Sequence, residues 1–84
     1  MKLQAKIYVS LKNGVLDPQG QAIENSLQQL GFASVNEVTQ GKFFQITLEA
    51  ENQESGKLIV KDICDKLLVN NVIEKYEYEI LEIA

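Results

Sequence analysis

The side chains able to take part in chemistry are few, and their types exclude most catalytic mechanisms. The chain has no histidine and a single cysteine, Cys64, among its 84 residues. Without an imidazole, no Ser-His or Cys-His pair can generate a nucleophile, and no histidine can bind a metal ion. Cys64 falls on the apolar stripe of a predicted helix, which is typical of a buried, unreactive thiol.

The twelve aspartate and glutamate side chains are the remaining candidates for acid–base or metal chemistry. They are scattered along predicted strands and solvent-facing helix surfaces, with no spacing that indicates a catalytic pair or a metal site. We therefore predict no catalytic residue, no metal ligand and no cofactor bound by this chain. A free-standing enzyme is disfavoured on the same grounds.

The charge balance restricts the kind of partner. Eight lysines and no arginine face the twelve acidic residues, giving a net charge of −4. An acidic surface without arginine suits neither nucleic acid nor an anionic membrane. The longest apolar runs are too short to cross a bilayer, and nothing resembles a signal peptide. One cysteine cannot form an internal disulfide, so we expect a cytoplasmic protein whose partners are other proteins.

The elements that position these residues follow from the hydrophobic periodicity. Alternation over residues 2–12 predicts a strand with one buried face. Asp17-Pro18 predicts the start of a helix, and Gly31 its end. The apolar residues of this helix are expected in the core: Ala22, Ile23, Leu27 and Leu30. The later segments predict a second strand at 35–39, a third at 43–51, a second helix at 57–68 and a last strand at 72–83.

The order β-α-β-β-α-β predicts a ferredoxin-like α+β fold in one domain over residues 1–84. Its four-stranded antiparallel sheet carries both helices on one face, with strands one and three central and strands two and four at the edges. About 60% of the surface of so short a chain is buried on folding, which leaves little volume for a deep pocket. Any functional site is therefore expected on the surface or at a subunit junction.

The loop before the first helix is the most unusual segment. Val15 and Leu16 are apolar within a polar turn, and Gly20 lies in the first helical turn, where glycine costs about 1 kcal/mol relative to alanine. A glycine there permits close approach of another backbone or a ligand. The carboxylate of Asp17 disfavours phosphate binding. A contact with another protein and a simple seal over one end of the core remain equally open.

The last strand is a second candidate surface. Its apolar side chains are expected at an oligomer interface: Tyr76, Tyr78, Ile80, Leu81 and Ile83. A long edge strand with an apolar end favours pairing with another chain in a closed, symmetric assembly. The alternative is a strand folded over its own core, with glutamates protecting the edge. Tyr8 and Phe43 on the open sheet face could stack on RNA bases, but the absence of arginine argues against this.

A family resemblance rests chiefly on one segment, Leu11-Lys12-Asn13-Gly14-Val15-Leu16-Asp17-Pro18-Gln19-Gly20. It continues through Leu27, Leu30-Gly31, Val38 and Gly41-Lys42, and then through residues 67–70 and 72–77. These residues resemble PurS, the small subunit of bacterial and archaeal phosphoribosylformylglycinamidine synthase. The likeness spans nearly the whole chain.

The resemblance implies a non-catalytic subunit that forms dimers or larger assemblies. It further implies two partners, a synthetase subunit and a glutaminase subunit, with ATP, Mg and glutamine used on those other subunits. Contacts with them are expected at Asn13, Gly14, Val15, Leu16, Asp17, Gln19, Gly20, Gly41 and Lys42. The alternative is a regulatory module of the ACT type that binds a small metabolite at a dimer interface.

Overall fold

The computed structural model describes residues 1–83, which form three strands and two helices in the order β-α-β-α-β. The elements are β1 (Lys2–Leu11), α1 (Pro18–Gln29), β2 (Lys42–Glu49), α2 (Gln53–Ile63) and β3 (Glu74–Ile83). A short π-helical turn, Cys64–Leu68, continues α2. The strands form one antiparallel sheet in the order β2-β1-β3, so β1 is central.

One face of the sheet is apolar because the alternation in all three strands is in phase. On β1 the buried side chains are Leu3, Ala5, Ile7 and Val9. The register places apolar residues of both neighbours on the same face: Phe44, Ile46 and Leu48 of β2, and Tyr76, Tyr78 and Ile80 of β3. We call this the covered face, and the opposite side, which contains Tyr8 and Phe43, the open face.

The prediction of a four-stranded sheet was wrong, because residues 35–39 form no strand in the described part of the chain. This segment instead returns along α1. The side-chain amide of Gln28 donates to the carbonyl oxygen of Val35 (2.8 Å), and the N–H of Gln40 donates to Asp17 Oδ2 (2.9 Å). Without that strand, β2 lies at an edge of the sheet and only β1 is central.

The placement of the first helix on the sheet was also wrong. Asp17 and Gly31 do delimit α1 as predicted, and Gly31 has the left-handed φ of +96° typical of a helix end. Within residues 1–83, however, α1 makes no extensive contact with the sheet or with α2. Three of its four expected core residues are exposed: Ala22, Ile23 at 43% and Leu30 at 73%. The helix and its return segment, residues 18–41, project from the sheet, and we call them the arm.

The second helix begins earlier than the sequence predicts and covers the sheet. Asn52 caps it through the N–H of Ser55 (2.8 Å), and the Ser55 hydroxyl accepts from the N–H of Asn52 (3.2 Å). Gly56 is buried inside the helix because a Cβ there would overlap Cδ1 of Leu3. The glycine therefore lets α2 lie close to β1.

The core lies between α2 and the covered face and includes Val60, Cys64 and Val69. Cys64 is fully buried, as predicted. Burial, and secondarily the nearby charge of Asp65, raises the pKa of its thiol, which keeps it protonated and unreactive at neutral pH. Leu67, which lies within the predicted second helix, is exposed.

Candidate protein-docking surface

The predicted loop residues come together at the end of the sheet where β1 finishes and β2 starts. Two grooves lie there. The loop groove, of about 410 Å³, is bounded by residues 10–17, the first half of α1, residues 37–39 and Lys75. The strand-end groove, of about 440 Å³, is bounded by the end of β1, residues 16–19, residues 40–42 and Glu74. All the predicted partner-contact residues except Gly20 line one or both grooves.

Asp17 lies between the two grooves and ties both ends of the arm together. Its Oδ1 accepts from the N–H of Gly20 (2.9 Å) and its Oδ2 from the N–H of Gln40 (2.9 Å). These hydrogen bonds, the one from Gln40 first, lower the pKa of the Asp17 carboxyl. The residue therefore caps α1 and also holds the returning chain beside the helix start.

Gly20 is absent from the grooves because it is buried at the base of the arm. A Cβ at this position would overlap the carbonyl oxygen of Val38 and the carboxylate of Asp17. At Gly41 a Cβ would overlap the carbonyl oxygen of Val9. Both glycines thus allow close approach of the chain's own backbone, which the sequence pattern could not distinguish from approach of another molecule.

Lys42 and Glu74 form an ion pair that connects the two outer strands across β1. The distance from Lys42 Nζ to Glu74 Oε2 is 3.0 Å, and the Glu74 side chain is only 11% exposed. The other oxygen of Glu74 accepts from the N–H of Asn70 (2.8 Å). The Asn70 hydrogen bond first, and then Lys42, lower the pKa of the Glu74 carboxyl. The two charges of this pair offset each other, so the carboxylate of Asp17 is the remaining charge in the wall of the strand-end groove.

The grooves carry groups suited to recognition. Leu16 is 73% exposed and lines both grooves, whereas Val15 is half-buried and lines only the loop groove. Lys12 is held by a hydrogen bond from its Nζ to the carbonyl oxygen of Asn71 (2.6 Å). Among residues 1–83 no group of three or more Cys, Asp or Glu side chains is placed to hold a metal ion. The surface therefore combines the exposed apolar side chain of Leu16 with polar side chains and a backbone held in place by hydrogen bonds.

The predicted oligomer residues of β3 divide between the two sheet faces. Tyr76, Tyr78 and Ile80 lie half-buried on the covered face, where the two tyrosine rings are stacked with centroids 6.3 Å apart. Leu81 and Ile83 lie on the open face. The outer edge of β3 pairs with no strand in the described part of the chain. Tyr8 and Phe43 meet on the open face, with ring centroids 5.2 Å apart.

Sequence reasoning missed the exposed apolar side of the arm. Ile23, Leu30 and Phe32 were expected inside the protein or left without a role, yet all three are exposed. One signal was present in the sequence, because α1 contains a single charged residue, Glu24. A helix with so little charge on its solvent side is unusual for a surface that stays in water.

A scan for membrane-spanning segments finds none, since no helix within residues 1–83 is both long and apolar enough to cross a bilayer. Comparison with protein families matches residues 4–82 to PurS, described as phosphoribosylformylglycinamidine (FGAM) synthase. The chain is 42% identical over 81 residues to phosphoribosylformylglycinamidine synthase subunit PurS of Bacillus subtilis, covering 96% of this chain and 95% of that protein.

Solved structures show the same likeness. The crystal structure of Methanocaldococcus jannaschii PurS matches with a TM-score of 0.87 and 40% identity, covering 98% of this chain and 99% of that one. A chain in the structure of PurLQS from Thermotoga maritima matches with a TM-score of 0.89 and 37% identity, covering 96% and 99%. The three-stranded architecture thus agrees in overall shape with experimentally determined relatives.

Proposed function

Because the chain belongs to the PurS family of phosphoribosylformylglycinamidine synthase subunits, we propose that it joins the synthetase subunit to the glutaminase subunit of that enzyme. It is a subunit of the synthase of purine biosynthesis, a component of a complex and not an enzyme by itself. We place its site of action in the cytoplasm. ATP, Mg and glutamine are used on the other subunits.

The end-of-sheet surface supports this bridging role. Leu16 is held exposed between two grooves by the hydrogen bonds of Asp17, so the surface has its shape before any partner arrives. A surface fixed in advance loses little conformational entropy on binding. This is the observation that carries the proposal.

The chemistry of the complex gives such a subunit a physical task. Ammonia released from glutamine must reach a second active site without escaping to water. A subunit that fixes the relative positions of the two sites contributes orientation and solvent exclusion and needs no proton-transferring side chain. The chain fits this task because its docking surface presents a shape that is fixed by hydrogen bonds.

Self-association is part of the proposal, as a dimer or a tetramer. The unpaired edge of β3 and the apolar residues Leu81 and Ile83 on the open face support an interface at that strand. The ACT-type alternative is set aside, because the relatives and the solved structures reported above all carry the PurS name.

Leu16→Asp tests the docking surface. The variant is mixed with the synthetase and glutaminase subunits of the same organism, and the complex is measured by size-exclusion chromatography with light scattering. We expect loss of the complex, because a charged side chain would replace the apolar side chain of Leu16 at the centre of the contact. The matched control is Leu58→Asp, since Leu58 lies on α2 away from the grooves and is similarly exposed, at 69%.

Both variants should keep the circular dichroism spectrum of the unchanged chain, because both side chains are already largely in water. An intact ternary complex with Leu16→Asp would show that the grooves do not contact the partner subunits. If only Leu58→Asp abolished the complex, the contact with the partner subunits would lie on α2 and not at the grooves.

A further inference from the structure

The loop that borders the docking surface contains a chemically labile pair of residues. Six asparagines occur in the chain, and only Asn13 is followed by glycine. Asparagine is among the thermolabile residue types, because the nitrogen of the next peptide unit can attack its side-chain carbon. A side chain on the following residue hinders this attack, whereas Gly14 has no Cβ to obstruct it. Asn13 is therefore the asparagine whose sequence context most favours this reaction.

The backbone around this pair forms a tight turn. The N–H of Val15 donates to the carbonyl oxygen of Lys12 (3.2 Å), which places Asn13 and Gly14 at the two central positions. Gly14 has a φ of +84°, and no residue other than glycine has a positive φ within residues 1–83. A negative φ at Asn13 followed by a positive φ at Gly14 is typical of a type II turn, which favours glycine at its second central position.

The two reacting groups are accessible in this turn. Both Asn13 and Gly14 are exposed. The N–H of Gly14 donates to no backbone group within residues 1–83. A Cβ built at Gly14 would meet no atom within 4 Å, so the main chain has room to rotate there. The peptide nitrogen is consequently free to approach the side-chain carbon of Asn13.

The remaining asparagines lack this combination. Asn25, Asn36, Asn52, Asn70 and Asn71 are each followed by a residue that has a side chain. The side-chain oxygens of Asn52 and Asn70 also accept hydrogen bonds from backbone N–H groups, over 2.8 Å and 3.1 Å respectively. Asn25 lies within α1, where helical hydrogen bonds hold the backbone. These five positions serve as internal references for the reactivity of Asn13.

We propose that Asn13 is a site of spontaneous deamidation, and that this modification limits the time over which the free chain stays competent to dock. In the first step the nitrogen of Gly14 forms a bond to Cγ of Asn13. The side-chain amide group leaves as ammonia and carries away the proton of the Gly14 N–H. Water then opens the resulting succinimide ring at one of its two carbonyl carbons. The products are aspartate, or isoaspartate in which the main chain runs through the former side chain.

The modification changes both the charge and the shape of the docking surface. Asn13 lines the loop groove together with the carboxylates of Asp17, Glu24 and Glu37. A new carboxylate is repelled by these three, and it adds one negative charge to a chain whose net charge is already −4. Isoaspartate also lengthens the main chain by a methylene group. The turn that leads to Leu16 is then displaced, so the surface loses its preformed geometry.

The effect on docking rests on the bridging role proposed above, whereas the chemistry of the modification does not. A partner subunit seated on the loop groove restricts rotation of the turn and keeps water away from Asn13. The chain inside a complex is therefore expected to retain Asn13, while the free chain loses it with time. The modification thus distinguishes chains that have remained without partners.

Peptide mass spectrometry of the purified chain, incubated in mildly alkaline buffer, tests the chemistry. Asn13→Gln is the matched control, because glutamine keeps a neutral amide but its longer side chain would require a less favourable, larger ring. We expect aspartate and isoaspartate in the peptide that contains Asn13, formed at least about tenfold faster than at any other asparagine. The Asn13→Gln chain should remain unmodified at this position. An intact Asn13, or equal conversion at the other asparagines, would overturn the proposal.

Ion-exchange chromatography separates the modified chain by its additional negative charge and allows its docking to be measured. Each fraction is mixed with the synthetase and glutaminase subunits, and the complex is followed by size-exclusion chromatography with light scattering. We expect the modified fraction to bind at least about tenfold more weakly than the unmodified fraction. Asn13→Gln, incubated for the same time, should assemble like the fresh chain. Equal assembly of the two fractions would refute the effect on docking.

The modification and the bridging role can fail independently. The mass measurement requires no partner, so it decides the deamidation whatever the result for Leu16→Asp. If Leu16→Asp abolishes the complex while the modified fraction still assembles, the bridging role stands and the limit on docking is wrong. Conversion of Asn13 at the same rate in the assembled complex and in the free chain would contradict protection by the partner.

Discussion

At the residue scale, Asp17 joins two segments that are far apart in sequence. One carboxylate accepts hydrogen bonds from the start of α1 and from the chain that returns to β2. The same residue borders both grooves. Its role in orienting the docking surface is therefore larger than that of the helix cap that the sequence predicts.

The lowered pKa values of Asp17 and Glu74 predict a loss of stability in acid. A carboxyl whose pKa is lower in the folded chain stabilises the fold fully above its unfolded pKa, about 4. That stabilisation disappears as the pH falls through the lowered folded value. Thermal unfolding followed from pH 7 to about pH 2.5 should show the melting temperature falling below about pH 4.

Asp17→Asn is the variant that isolates this effect, because it preserves size and a capping oxygen but removes the titrating group. We expect a shallower fall of the melting temperature with pH than in the unchanged chain. Identical pH profiles would show that the Asp17 carboxylate contributes nothing through its ionisation. Asp62→Asn is the control for the loss of a surface carboxylate, because the ion pair of Asp62 with Lys66 is exposed on α2.

At the element scale, the separation of α2 from β1 is set by Gly56. Alanine at this position would favour the helix by about 1 kcal/mol through propensity. It would also force a methyl group against the fully buried Leu3, and overpacking of this kind costs about 1–3 kcal/mol. We expect Gly56→Ala to lower the free energy of unfolding by about 1 kcal/mol net, measured by urea denaturation.

Leu58→Ala is the comparison within the same helix, since Leu58 is exposed and its truncation should change the stability little. A Gly56→Ala chain as stable as the unchanged one would mean that Leu3 moves aside and that the close approach is not required.

The strands show what sequence can predict about this fold. The strand β1 was predicted correctly, because every second side chain of a strand with one buried face is apolar. β3 was harder, since the apolar residues Ile80 and Leu81 are adjacent and the register sends them to opposite faces. The predicted partner-contact residues lie together because most of them are contiguous in sequence. The ion pair of Lys42 with Glu74 depends on the sheet order and has no local signal.

The arm shows where such prediction stops. Periodicity in α1 establishes that Ile23, Leu27 and Leu30 form an apolar stripe, but it does not identify the surface that buries them. The ferredoxin-like pattern assigned them to the chain's own sheet. Residues 35–39 combine apolar and polar residues as a strand would, yet they lie along a helix.

At the scale of the whole molecule, the exposed arm and the unpaired edge of β3 predict that stability depends on protein concentration. If folding and dimer formation are linked, mass action raises the melting temperature as the chain becomes more concentrated. A tenfold increase should raise it by roughly 3–5 °C, the equivalent of about 1.4 kcal/mol for a dimer of this size. A concentration-independent unchanged chain would contradict the linkage.

The central position of β1 has a consequence for biosynthesis. This strand leaves the ribosome before both of its neighbours, β2 and β3, and β3 follows only at residues 74–83. Its apolar face, from Leu3 to Val9, must therefore remain uncovered until α2 and β3 have been translated. Domains whose paired strands are far apart in sequence fold slowly. While they fold, they expose apolar surface that favours aggregation. Nascent chains arrested before β3 should accordingly be the form most dependent on chaperones.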